Sequence, residues 1–286
     1  MRKCALVVFV IMLHCLVGMA ATVHFDVFIN RGLMQTVSGT TFPVLSYNDS
    51  VLFSGINATL QINSGDSLSL NVHNTDTAFH DFAIKGFPGL LTIAPSDSVQ
   101  HTWYFPQDGA FIYYDPSDAP SNRYMGLAGQ IMVLSAATSF NYSWNLKEHQ
   151  SSYNNAIALG NAVDWSVYDP DFFTVNGVSY PDIQNDSLAT VDVSLGQPYR
   201  IYISNTGQSK HSIHIHGFHG TVIRSSAGNI QVNASKDTFP IKSMESVVIE
   251  ITPDKLGRYS VHDHNLVAVS GGGVHPNGMF TIMNIH

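Results

Sequence analysis

The sequence predicts an all-β protein built from two copies of one β-sandwich. Three observations carry that reading. Short alternating or β-branched runs recur along the chain, at Leu68–Val72, Arg200–Ile203 and Val247–Ile251, with the period of strands that bury one face. Turn pairs bound these runs, among them Ser64-Gly65, Asp108-Gly109, Thr206-Gly207 and Leu256-Gly257, and no long helical period competes with them. The chain also repeats itself. Gly65–Phe87 aligns without a gap onto Gly196–Phe218, Gly109–Asp115 onto Gly257–Asp263, and Gly129–Val133 onto Gly278–Ile282. Three matched blocks in one order indicate a duplicated unit.

In chain order, Arg2-Lys3, an apolar run through Val17 and the small residues Gly18 to Ala21 read as a secretory signal peptide over 1–21. The first sandwich is expected over 22–137 and the second over 165–286. The polar stretch 138–164 between them reads as a linker with a short helix near Ala156–Ala162. Both cysteines, Cys4 and Cys15, fall in the expected signal. The mature chain then has neither a disulfide nor a thiolate, and packed cores must hold it together. Without Arg2 and Lys3, 11 basic residues face 21 acidic ones, a net charge of −10. There is no basic stripe, which argues against nucleic acid and anionic membranes as partners. Sequons at Asn48, Asn57, Asn141, Asn185 and Asn233 suit a secreted, extracellular glycoprotein.

The chemistry is concentrated in histidines of the second unit. His211-Ser-Ile-His214-Ile-His216-Gly217 is followed by His262-Asp263-His264, then by His275 and Met279. Side chains two apart on a strand share a face. His214 and His216 therefore point one way, as do His262 and His264, while His211 and Asp263 point the other. Imidazole is a common ligand for copper and zinc, and nitrogen ligands favour copper. Four imidazoles on paired strands make a candidate metal site. The alternative is a polar remnant that binds nothing. His211, Asp263 and His275, with Met279 nearby, offer either a second, colourless metal site or a hydrogen-bonded trio in which the carboxylate orients an imidazole. His80 aligns with His211 and reads as a structural histidine.

The pattern H-x-x-H-x-H-G, a late H-x-H and the closing Gly278-Met279-Phe280 resemble the last cupredoxin domain of multicopper oxidases. Two such domains, with Asp263-His264-Asn265-Leu266 near the end, are similar to two-domain laccases and copper nitrite reductases. The resemblance covers nearly all of the mature chain. It implies two cupredoxin-like Greek-key sandwiches, a plastocyanin-like fold. It places His214 as a type 2 copper ligand and His216, His262 and His264 as type 3 ligands. It puts His211, Asp263, His275 and Met279 at the blue-copper positions, with Asp263 where a cysteine is needed. It also implies a homo-oligomer, a trimer by analogy, with domain one of one copy facing domain two of the next.

The chain departs from that pattern. A carboxylate cannot replace the soft thiolate of a blue site, and Asp115 takes the same place in the first unit. Ala83, Lys85, Tyr114 and Pro116 occupy the four cluster positions there, and Lys85 sets a cation where a metal would lie. The expectation is a secreted copper-binding protein related to multicopper oxidases, without type 1 copper and without the trinuclear cluster. The other expectation is an oxidoreductase using a non-blue, histidine-bound copper.

Overall fold

A computed structural model describes residues 20–135 and 140–286. The expected signal peptide lies almost wholly outside the described residues, and Cys4 and Cys15 do so entirely. The first domain runs through β1 (Thr22–Gln35), β2 (Thr41–Asn48), β3 (Leu60–Asn63), β4 (Ser67–Asn74), β5 (His80–Ile84), β6 (Leu91–Ile93), β7 (Ser98–Tyr104), β8 (Gly109–Tyr114), the short helix α1 (Ser121–Met125) and β9 (Ala128–Leu134). One sheet has the order β2-β1-β4-β7 and the other β3-β9-β8-β5-β6. Alternation explains the layers. Leu68, Leu70 and Val72 of β4 are fully buried and pack with Trp103 of their own sheet and with Phe82, Tyr113 and Ile131 from across the sandwich.

The second domain repeats this plan. It comprises β10 (Phe140–His149), helix α2 (Ser151–Ala158), β11 (Phe172–Val175), β12 (Asp192–Val193), β13 (Tyr199–Asn205), β14 (His211–Ile215), β15 (Gly220–Ser225), β16 (Ser235–Lys236), β17 (Thr238–Ile241), β18 (Ser246–Ile251), β19 (Gly257–Asp263) and β20 (Phe280–Ile285). Its sheets are β11-β10-β13-β18-β15-β16 and β12-β20-β19-β14-β17. The parallel pair β1–β4 recurs as β10–β13. The hairpin β15–β16 fills the insertion between Gly217 and Thr238, where the first domain has only a short turn.

Two sequence expectations change here. The stretch expected as linker contains β10, whose Tyr142, Trp144 and Leu146 lie in the second domain's core. The short helix falls at Ser151–Ala158, earlier than expected, and packs Tyr153 and Ile157 against the first domain's core. The third repeat block is also out of register by three residues. Gly109 pairs with Val133 and Gly257 with Ile285, so Val133 corresponds to Ile285. Three glycine-led matches looked alike, but hydrogen-bond register decides equivalence.

β10 is buried on both faces. Even-numbered side chains enter the second domain's core, while Ser143, Asn145, Lys147 and His149 face the first domain. Ala110 and Met132 pack directly on Tyr202 and Val248 between the domains. Asp108 of the first domain pairs with both Arg200 and Arg224 of the second, at 3.1 and 2.6 Å. Among the described residues, no helix is long and apolar enough to cross a membrane.

Candidate metal centre

The four predicted histidines come together. β14 and β19 are antiparallel, with His214 opposite His262, so the period of two brings both pairs onto one face. Ring centroids lie 4.7 Å apart for His214–His216, 5.1 Å for His216–His262, 5.7 Å for His214–His262 and 5.6 Å for His214–His264. His216 and His264 are exposed, and His214 and His262 are half-buried. Gly217 ends the motif at φ +83°, where a Cβ would come within 2.4 Å of the Tyr259 ring. Glycine therefore allows the chain to turn away directly after His216.

Hydrogen bonds set the tautomers. His262 Nδ1 donates to the Asp263 carbonyl at 2.8 Å, and His214 Nδ1 lies 3.2 Å from the Asp237 carbonyl and 2.9 Å from Thr238 Oγ1. A carbonyl only accepts, so both rings carry their proton on Nδ1 and present a bare Nε2. His216 Nε2 lies 3.0 Å from His262 Nε2, which makes His216 the donor of that contact. Burial and the neighbouring rings of His214 and His262 lower the pKa of His216. Two ring nitrogens at that separation can each lie about 2 Å from one ion. The pair fits a shared metal. Among the described residues no set of three or more His, Cys, Asp or Glu side chains is arranged to hold one ion. His214 and His264 would have to turn toward it.

The second predicted constellation is not assembled as a metal site. His211 Nδ1 lies 2.6 Å from Asp263 Oδ2, and its Nε2 lies 2.9 Å from Glu148 Oε2. All three side chains are buried, and no ring nitrogen is left for copper. His275 is exposed on its loop. Met279 is a core residue whose carbonyl accepts from the Asp263 amide. The trio exists, but its third member is Glu148 and not His275. Burial alone would lower the pKa of His211, but the hydrogen bonds and charges of Asp263 and Glu148 outweigh it and raise it to about 9. Burial would raise Glu148, but His211 and the amides of Ser209 and Gln208 hold it at about 2. His211 is therefore a buried imidazolium between two carboxylates.

The first domain has the same device. His80 lies 2.9 Å from Asp115 and 2.9 Å from Asp76, and Arg31 completes it with 3.0 and 2.7 Å bonds to Asp76. This satisfies the expectation of a structural histidine. The repeat explains the difference between the two copies. Asp76 corresponds to Gly207, and a Cβ at Gly207 would lie 1.8 Å from Glu148 Oε2. One domain supplies its second carboxylate from the local turn. The other leaves that turn bare and brings the carboxylate in from β10.

Sequence reasoning missed Glu148, Asp76 and Arg123. The signal for Glu148 was its parity with Trp144 and Leu146, which marks a carboxylate on a core face. Arg123, on α1, donates to the carbonyls of Thr206 and Gly207, both at 2.8 Å. That turn also supplies the Gln208 and Ser209 amides to Glu148 Oε1, both at 2.7 Å. Only the fold brings these together.

The sequons differ in their surroundings. Asn185 and Asn233 are exposed. Asn141 is half-buried, and Asn57 donates its amide to the Gly126 carbonyl at 2.9 Å. Asn48 is buried and donates both amide hydrogens, to Ser54 and Ile56, each at 2.8 Å. A glycan on that nitrogen would break both bonds, so the structure argues against Asn48 as an acceptor.

A family description, multicopper oxidase, matches residues 148–276. No curated protein matches the chain. Among solved structures, a blue copper oxidase from Nitrosomonas europaea superposes with a TM-score of 0.77 at 19% identity, covering 93% of this chain and 86% of that one. The multicopper oxidase mgLAC gives 0.77 at 21% identity, with 93% and 86% covered. A copper nitrite reductase from Nitrosomonas europaea gives 0.71 at 17%, with 93% and 94% covered. At these identities the likeness establishes the fold.

Proposed function

We propose that this chain is a two-domain relative of the multicopper oxidases, a reading supported by the family match over 148–276 and by the shared fold, and that it binds copper at the histidine face of the second domain, without a blue-copper site in either domain. His216 and His262 would hold the ion, and His214 and His264 would complete the set once turned toward it. The observation that supports this most directly is the 3.0 Å approach of His216 Nε2 to His262 Nε2, with the Nδ1 positions of His214 and His262 tied to protein acceptors. Asp115 and Asp263, each hydrogen-bonded to a buried histidine, occupy the positions at which relatives would need a thiolate. Bound copper would supply one-electron chemistry. The chain's own residues fix two tautomers, keep His216 neutral and leave the face open.

Because His216 donates the internal hydrogen bond through Nε2, its proton would have to move to Nδ1 for Nε2 to serve as a ligand, and protonation of the imidazoles would compete with copper. Uptake is expected to weaken as pH falls through the imidazole range. The deciding experiment is copper titration of the purified chain, followed by electron paramagnetic resonance. One non-blue copper per chain is expected. His262→Ala should lower affinity by at least about tenfold while leaving the far-ultraviolet spectrum unchanged. Copper binding at parental affinity in a His216→Ala/His262→Ala chain would refute the site.

A second reading, copper-dependent oxidation of a small substrate, draws on the exposure of His216 and His264, which leaves an ion there accessible. Oxygen consumption by the copper-loaded chain with phenols or ferrous iron tests it. Assembly is part of the same proposal. In each chain the β8–β9 face of domain one is covered by β13 and β18 of domain two, whereas the equivalent β19–β20 face is open and carries half-buried Phe280 and Ile282. A second copy's first domain would cover it, and light scattering should then give a multiple of the chain mass.

A further inference from the structure

The geometry points to an organic-anion site in the cleft between the two domains, for a small carboxylate with an apolar or aromatic body. The cleft has a volume of about 410 Å³, within the range of small-molecule sites. Domain one supplies Lys85, Phe87 and Phe111. Domain two supplies Arg224 from the β15–β16 insertion and Val247 and Val248 from β18. The insertion has no counterpart in domain one, so the duplicated unit acquires this wall only once.

Three features select the ligand. The first is charge. Lys85 is exposed, and its Nζ donates to the carbonyl of Met244. An ammonium has three donors, which leaves two for a guest. It makes no ion pair among the described residues. Asp108 is the carboxylate at the mouth, and it is already shared by Arg200 and Arg224. The side chain of Arg224 is 47% exposed. A cation entering the cleft would meet Lys85, which has no carboxylate partner among the described residues, whereas a carboxylate would meet a charge-assisted donor. The second is the floor. Phe87 and Phe111 meet edge to face at 5.5 Å and are only partly buried, so they offer a ring face to a flat apolar body. The third is position. The site spans two domains, so its guest would join them.

The site is separate from the histidine face. Lys85 lies where the repeat would place a second cluster histidine, yet its side chain crosses to its own second domain. The sequence had suggested a cation that repels metal. In the fold that cation is one lip of a cleft.

Isothermal titration of the full chain with three isosteric probes tests the assignment. Benzoate is expected to bind at least about tenfold more tightly than neutral benzamide, and benzylamine more weakly still. Lys85→Ala should lower benzoate affinity at least about fivefold, Lys85→Arg should retain it, and neither change should alter copper content. The site is refuted if benzoate does not bind, if benzamide or benzylamine binds as well as benzoate, or if Lys85→Ala leaves benzoate affinity unchanged. The probe comparison uses the parent chain alone, so it decides the matter even if a variant fails to fold.

Discussion

Gly207 shows how much one residue decides. It makes room for Glu148, and Glu148 completes the charge pair with His211. Gly207→Ala would push a Cβ against Glu148 Oε2 and separate a buried carboxylate from its imidazolium. The expected loss is about 3–5 kcal/mol, read by urea unfolding. Gly207→Asp combined with Glu148→Ala copies the arrangement of domain one and should recover part of that loss. Asp263 supports a different expectation. Replacing the lost thiolate by Asp263→Cys restores one ligand, but His275 stays exposed on its loop while His211 is buried. Copper-loaded Asp263→Cys should therefore show no intense blue absorption. An intense band near the usual blue-copper wavelength would mean that the His275 loop closes over the site.

At the scale of the element, β10 joins the two domains through parity. Glu148 points into domain two. Lys147 points toward domain one and donates to the Gly126 and Ala128 carbonyls at 2.9 and 3.2 Å. Burial, with the charge of Arg123, lowers Lys147 to about 7. The signs of the two neighbours oppose each other. His211 is raised above its unfolded value, so its contribution is complete below about pH 6.5 and fades as pH rises through about 9. Lys147 is lowered, so its penalty is complete below about 7 and is relieved as pH rises toward about 10.5. The parent should therefore show a shallow alkaline flank. Lys147→Met removes the rising limb, and its unfolding free energy should fall more steeply between pH 7 and 9. Parallel profiles for the two chains would contradict that account.

For the whole molecule, the two sandwiches are held by a few buried polar anchors around a small apolar contact. Arg123 is the most connected, since it grips the turn that feeds Glu148. Losing a buried guanidinium with several bonds should cost about 2–4 kcal/mol. It also removes the link between the domain interface and the triad. Calorimetry of the parent should give one transition, and Arg123→Ala should split it or broaden it toward two. A single transition shifted downward would mean that Asp108 and its two arginines suffice to couple the domains.

The all-β class, the duplication and the meeting of four histidines were legible in the residues alone. Each follows from a local period: side chains two apart share a face, and β14 and β19 needed only to pair for both H-x-H motifs to coincide. The sequence also marked His80 as structural and both thiolate positions as aspartate. The partners of those aspartates were decided by tertiary structure. Glu148 and His211 are 63 residues apart, and Arg123 reaches a turn more than 80 residues away. No local pattern encodes such pairings, because they depend on where β10 enters the sheet. The exposure of His275, the burial of Met279 and the cleft beside Lys85 belong to the same class. Periodicity fixes which way a side chain points from its own strand, but only packing fixes what stands opposite.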